Sequence, residues 1–61
     1  MKELDIVKLN RNYNGIQEGT IGTIVLKYND NNYEVEFFDE NGDTIDVLTI
    51  SEDYLELKSR Y

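Results

Sequence analysis

Polar and apolar residues alternate along most of this chain, and no apolar stripe with helical spacing continues beyond a single turn. The alternation is clearest over residues 33–37, where Tyr, Val and Phe alternate with two glutamates, as in a half-buried strand. Phe38 breaks this alternation, which indicates a twist or bulge at the end of the strand. The sequence therefore predicts an all-β protein built from short strands.

Two further strands are predicted in the first half of the chain. The first covers Leu4–Leu9, with Asp5 on the face opposite to its apolar neighbours. The second covers Thr20–Tyr28 and is rich in β-branched residues. Its alternation places Ile24 and Leu26 on the same face.

The second half of the chain contains strong turn signals. The cluster Asn29–Asn32 predicts one tight turn, and the Asn-Gly pair at 41–42 predicts a hairpin. The returning strand, Thr44–Ile50, has apolar residues in both phases, which indicates a bulge or burial on both faces. Ser51–Asp53 has the pattern of a capped helical turn, and residues 55–57 form a short last strand.

Together these elements predict a single domain over residues 1–61, with a five-stranded SH3-like barrel and one short 3-10 turn before the last strand. The long polar loop at residues 10–19 and the two tight hairpins agree with this architecture. Closing the sheet would hide most strand edges, in a chain that has no helix to cover them. An OB-like barrel is the alternative, but it needs longer strands and usually a helix.

Acidic residues dominate the charge of the chain, which is −7. The window from residue 28 to residue 57 contains no lysine or arginine. Its carboxylates are Asp30, Glu34, Glu36, Asp39, Glu40, Asp43, Asp46, Glu52, Asp53 and Glu56. This charge repels phosphate backbones and anionic membrane surfaces, so we expect neither nucleic acid nor membrane as a partner. It favours encounter with a basic protein, and keeping the domain soluble is the alternative role.

Location and catalysis are constrained by what the sequence lacks. No apolar run approaches the ~20 residues of a membrane span, and the first residues lack the apolar core of a signal peptide, so we expect a cytoplasmic protein. Histidine and cysteine are absent, so neither a Ser-His nor a Cys-His pair exists. Acid-base work by paired carboxylates needs an enclosed pocket, and so small a domain has little interior to form one. We therefore expect no enzyme and no cofactor.

Asp39–Asp43 has the Asp-x-Asn-x-Asp spacing of a calcium-binding loop. However, Thr44 stands where that loop requires glycine, and Ile50 stands where it requires a closing glutamate. A hairpin turn is the better interpretation, and we expect no metal site.

The first half of the chain resembles KOW-type and related SH3-like barrels. The resemblance is carried by Leu4–Leu9 and Glu18–Val25, with Gly19 at a turn and Gly22 where strands approach closely. Nearly the whole chain is similar to a family of small bacterial domains of unknown function, including the segment Tyr33–Phe37. This resemblance implies an SH3-like fold and no particular activity. The RNA contacts of KOW modules are not expected here, because the basic loop residues are missing.

The candidate binding surface consists of acids without a local role in a turn or cap, together with two exposed aromatic residues. Glu34 and Glu36 alternate with core residues, so they point outward on one face. An acid on the neighbouring strand and the hairpin acids are expected to extend that face. The predicted partner-binding residues are Glu34, Glu36, Glu40, Asp46, Tyr13 and Phe38.

These residues predict a non-catalytic protein-binding module whose acidic sheet face docks on a basic partner protein. An immunity protein, an antitoxin or a DNA-mimic inhibitor would be its concrete forms. The alternative is an accessory or structural barrel of a larger enzyme or assembly. That barrel would bind through an aromatic surface around Tyr13 and Phe38.

Overall fold

The structure is a computed structural model that describes residues 1–61. Its strands are β1 (Ile6–Leu9), β2 (Ile21–Lys27), β3 (Asn32–Phe38), β4 (Thr44–Ser51) and β5 (Leu55–Ser59). All pairings are antiparallel, and a 3-10 turn, Glu52–Tyr54, connects β4 to β5. The prediction of an all-β fold with five strands and one 3-10 turn is confirmed. No helix has the length and apolar character needed to cross a membrane.

The strands form one sheet in the order β4-β3-β2-β1-β5. No ladder joins β4 to β5, so these two strands are edges and the sheet is not closed into the barrel that the sequence predicted. The sheet contributes residues from every strand to a single apolar cluster. Because no helix covers this sheet, its own strands and the loop after β1 must supply the core. The buried apolar residues are Val7, Leu9, Ile16, Ile24, Tyr33, Val35, Phe37, Ile50 and Leu55.

Close contact between β2 and β3 depends on Gly22, which lies opposite Phe37. A Cβ atom at this position would lie 2.6 Å from Val35 Cγ1 and 3.0 Å from the Glu36 carbonyl oxygen. The residue is buried, and no other amino acid fits without displacing the core. The close approach predicted for this glycine is therefore confirmed.

Two bulges determine which side chains reach the core. In β2, Ile24 pairs with Val35 while Leu26 pairs with Glu34, so Val25 is the extra residue. The bulge moves Leu26 to the outer face, which corrects the prediction that Ile24 and Leu26 share one face. In β4, Ile45 is the extra residue, at the position where Phe38 had indicated an irregularity.

The start of β1 also differs from the sequence prediction. Leu4 has a positive φ of 74° and is exposed, so the strand begins later, at Ile6. The buried side chains are those of Asp5, Val7 and Leu9, so this face of the strand points inward. An alternating pattern defines two faces but does not say which faces inward, because hydrogen bonds can satisfy a buried carboxylate.

The hairpin between β3 and β4 has the predicted turn. Gly42 has a φ of 85°, which only glycine adopts readily, and its N–H donates to the Asp39 carbonyl at 3.0 Å. The Asp39 carboxylate accepts from the N–H groups of Asn41 and Asp43 at 2.9 and 3.0 Å. These bonds make residues 39–43 a hydrogen-bonded turn. At the 3-10 turn, Ser51 Oγ accepts from the Asp53 N–H at 3.2 Å, as expected for a cap.

Candidate functional site

Glu34 and Glu36 lie on the outer face of β3, as the alternation predicted. Both are half-buried, between the fully buried residues of the same strand. The Tyr28 hydroxyl donates to Glu34 Oε1 at 3.0 Å, and the Thr44 hydroxyl donates to Glu36 Oε2. No cation contacts either carboxylate, so both carry uncompensated charge.

The residues that flank these glutamates on the neighbouring strands are neutral. Thr23 and Val47 lie opposite Glu36, on β2 and β4, respectively. Leu26 and Thr49 flank Glu34 in the same way, and Leu26 and Val47 are exposed. This arrangement avoids like charges directly across the strands, which would cost about 0.2–1 kcal/mol per pair. The outer face therefore combines two carboxylates with exposed apolar side chains.

Asp46 does not belong to this face. It lies opposite Phe37, whose side chain points into the core, so its own side chain projects on the opposite side of the sheet from Glu34 and Glu36. The cause is the bulge at Ile45, which shifts the register of β4 by one residue relative to the end of β3. Asp46 Oδ1 instead accepts from the Val47 N–H at 2.8 Å, on the edge strand.

Glu40 and Phe38 lie in a cleft between the loop before β2 and the β3–β4 hairpin. Its volume is about 560 Å³. Its apolar side chains are Ile21, Phe38 and Ile45, and its acids are Glu18, Asp39 and Glu40; no basic residue lines it. We call this feature the hairpin cleft. The remaining lining residues are Gln17, Gly19, Thr20 and Asn41.

Sequence reasoning missed three important residues of the hairpin cleft, namely Glu18, Ile21 and Ile45. A signal for Ile45 was present, since both Phe38 and the strand Thr44–Ile50 break the alternation. In each case the irregularity leaves a large apolar side chain outside the core. Glu18 lies outside the acidic window, and no pattern in the sequence links it to the hairpin.

Tyr13 belongs to a different surface cluster. Its ring packs edge-on against Tyr54, with the centroids 4.9 Å apart, and the Arg11 guanidinium lies 4.4 Å above the Tyr54 ring. Arg11 Nη2 also donates to the Asp53 carbonyl at 3.0 Å. The backbones of Tyr13 and Ile16 pair with each other, which fixes the loop after β1. Tyr13 and Phe38 thus have different neighbours and do not form one aromatic surface.

Asp5 is the one buried charged residue, and it joins the two ends of the chain. Its carboxylate accepts from the N–H groups of Lys2 and Tyr61, at 3.1 and 3.0 Å. The pKa of Asp5 lies below its ordinary value of 3.8. The hydrogen bond from Tyr61 is the largest cause, and the bond from Lys2 lowers the pKa further, whereas burial of the carboxylate opposes both by raising it. These contacts describe a structural clamp, and no substrate-sized cavity adjoins them.

Comparison with known proteins identifies one family. The model of the family described as "Domain of unknown function (DUF4926)" matches residues 3–57. Among curated proteins and among solved structures, none is significantly similar to this chain.

Proposed function

The chain belongs to the DUF4926 family, whose description assigns no activity, and we propose from its surface that it is a non-catalytic module that binds a basic partner protein. One observation carries the proposal. Of the carboxylates between residues 28 and 57, only Asp30 contacts a cation, Lys27 Nζ, at 3.6 Å. The charge of −7 is therefore directed almost entirely at solvent and at whatever binds there.

Uncompensated charge on a rigid frame suits binding to a basic surface. Glu34 and Glu36 are held by a central strand, and the Asp39 hydrogen bonds fix the hairpin that carries Glu40. Such acids accelerate encounter with a basic protein and repel nucleic acid. An immunity protein, an antitoxin or a DNA-mimic inhibitor is the concrete form that we propose, in the cytoplasm.

Charge reversal on one surface tests this function. The variant Glu34→Lys/Glu36→Lys/Glu40→Lys should lose the basic proteins that the immobilised wild-type chain retains from source-cell lysate at low salt. These proteins should leave the wild type along a rising salt gradient, because exposed ion pairs are screened. The matched control is Glu52→Lys/Asp53→Lys/Glu56→Lys, which changes the net charge equally elsewhere.

The control should retain the same basic proteins as the wild type. Equal loss from both variants would mean that only net charge matters, and the role would then be solubility. Retention by the triple variant at low salt would contradict the proposed surface.

A second candidate function is an accessory barrel that binds through aromatic residues. The cluster of Arg11, Tyr13 and Tyr54 supports it, because stacked aromatic and guanidinium groups are common in protein interfaces. Binding at this cluster would depend little on salt. The variant Tyr13→Ala would abolish it, whereas the three-lysine variant on the acidic surface would not.

For the fold, we propose an SH3-like arrangement that remains open between β4 and β5. The strand order, the long loop after β1 and the 3-10 turn before the last strand support it. An experimental structure that paired β5 with β4, or that moved β1 away from the position between β2 and β5, would contradict it.

A further inference from the structure

We propose that the hairpin cleft binds a lysine or arginine side chain of the basic partner, with the aliphatic stem on its apolar residues and the cationic group between its acids. The inference rests on the proposed function and extends it by naming the group that is recognised. The hairpin cleft is the one cavity of the protein, and its volume of about 560 Å³ lies in the range typical of ligand sites.

The apolar part of the cleft arises from the β2–β3 register and the bulge in β4. Ile21 lies directly opposite Phe38 on the outer face, and both are half-buried. Ile45, the extra residue of the β4 bulge, adds a side chain that remains 49% exposed. Three large apolar side chains therefore meet at a surface that the core does not use. An aliphatic chain that covers this surface removes apolar area from water, which favours binding.

The acidic part comes from both sides of the cleft. Glu18 belongs to the loop before β2, and Glu40 belongs to the hairpin; both are exposed. Neither carboxylate takes part in a side-chain hydrogen bond or an ion pair. Asp39 differs, because one of its oxygens accepts the two N–H bonds of the turn. Glu18 and Glu40 are thus free to receive a cation from opposite walls.

This combination selects the chemistry of the occupant. Three carboxylates would repel an anion. A purely apolar group would bury those carboxylates away from water without replacing the hydrogen bonds that water makes to them. Lysine and arginine satisfy both parts, because they lay an apolar stem along apolar surface and keep the charged end near water or carboxylates. The net charge of −7 favours their approach.

The test uses three acetylated peptides of equal length, titrated into the isotopically labelled chain at low ionic strength and mildly acidic pH. The first alternates lysine with serine. In the second, 2,4-diaminobutyric acid replaces lysine, which keeps the ammonium group but shortens the stem. The third carries glutamine instead. The chain variants are Glu18→Gln/Glu40→Gln and, as a control with the same charge change outside the proposed binding surface, Glu52→Gln/Glu56→Gln.

We expect the lysine peptide to shift the amide resonances of Ile21, Phe38 and Ile45. It should bind about fivefold more weakly to the Glu18/Glu40 variant, and less than about twofold more weakly to the control. The short-stem peptide should bind more weakly than the lysine peptide. If the lysine peptide binds but its shifts centre on Glu34 and Glu36, the cleft assignment is wrong and the proposed function stands. The same conclusion follows if the Glu18/Glu40 variant binds the peptide as tightly as the wild type does, or if stem length has no effect.

If neither cationic peptide binds better than the glutamine peptide, the proposed function fails together with the cleft assignment. Circular dichroism of both variants checks that the comparison is made between folded proteins. All four substituted positions are at least partly exposed, and glutamine keeps the shape of the side chain.

Discussion

Replacing Gly22 by alanine adds one methyl group at the closest approach of β2 and β3. The new Cβ atom would lie 2.6 Å from Val35 Cγ1 and 3.0 Å from both the Glu36 carbonyl oxygen and Phe37 Cδ1. Val35 and Phe37 have no exposed surface, and the carbonyl oxygen belongs to β3, an interior strand of the sheet. None of these atoms can move away without disturbing the core, so we expect β2 and β3 to separate locally.

The size of the effect follows from two opposing contributions. Inserting a methyl group into a well-packed core costs about 1–3 kcal/mol, and three contacts at or below 3.0 Å place this substitution near the upper end. Alanine restricts the unfolded chain more than glycine does, which returns at most about 1 kcal/mol. The net loss is about 2 kcal/mol. For 61 residues the total free energy of unfolding is about 3–9 kcal/mol, so this is a large part of the stability. With the usual unfolding entropy for a chain of this length, a loss of about 2 kcal/mol lowers the melting temperature by about 15 °C.

Urea unfolding followed by circular dichroism measures this loss, and a double-mutant cycle identifies its cause. Val35→Ala removes the atom that the new methyl group would strike, so in that background Gly22→Ala should cost about 1 kcal/mol less. Gly42→Ala is the control, because it meets open space at a φ of 85° and costs only the backbone strain of about 1 kcal/mol. Its cost should not depend on Val35.

A free energy of unfolding within about 0.5 kcal/mol of wild type for Gly22→Ala would refute the reasoning. So would an equal cost of this substitution with and without the Val35 side chain. Either result would mean that the two strands adjust their spacing freely.

Two further predictions concern carboxylates that accept backbone hydrogen bonds. Asp5→Asn should lower the urea midpoint at neutral pH, because Lys2 and Tyr61 would donate to a neutral group. Because folding lowers the pKa of Asp5, its carboxylate stabilises the fold above the ordinary value of 3.8, and this stabilisation is lost as the pH falls through the pKa of the folded state. The urea midpoints of wild type and variant should therefore converge at low pH. A difference that stays constant with pH would contradict this. Asp46→Ala should expose the Val47 N–H on the edge strand and promote self-association in sedimentation measurements, whereas Glu40→Ala, with the same charge change, should not.

Within single strands, the sequence predicted the fold well. The alternation over residues 33–37 identified the buried and outer faces of β3, and the Asn-Gly pair identified the hairpin with its positive φ at Gly42. Both are local properties, decided by side-chain period and by backbone freedom. The close contact at Gly22 was implied by the resemblance of the first half of the chain to KOW-type barrels.

The errors arose where two strands had to be combined. Asp46 was assigned to the face of Glu34 because each strand was read by itself, but a single extra residue at Ile45 reverses the faces across the hairpin. Alternation placed Asp5 on the face opposite Leu4 and Ile6, and the structure shows that this face is the buried one. Its burial depends on N–H groups supplied by both chain ends, and no pattern within β1 contains that information.

The candidate site depends both on local features, which the sequence predicted, and on the register between strands, which it did not. Gly22 fixes the spacing at which Ile21 faces Phe38, and the Ile45 bulge turns a third apolar side chain toward the same cleft. The hydrogen bonds of Asp39 then hold the hairpin that presents Glu40. Because strand register and a closed turn place the apolar residues and the backbone of the hairpin, binding of a cationic side chain would mainly require ordering of the exposed Glu18 and Glu40 side chains. The proposed recognition of a cation depends on where these carboxylates lie, whereas a role in solubility alone places no demand on their position.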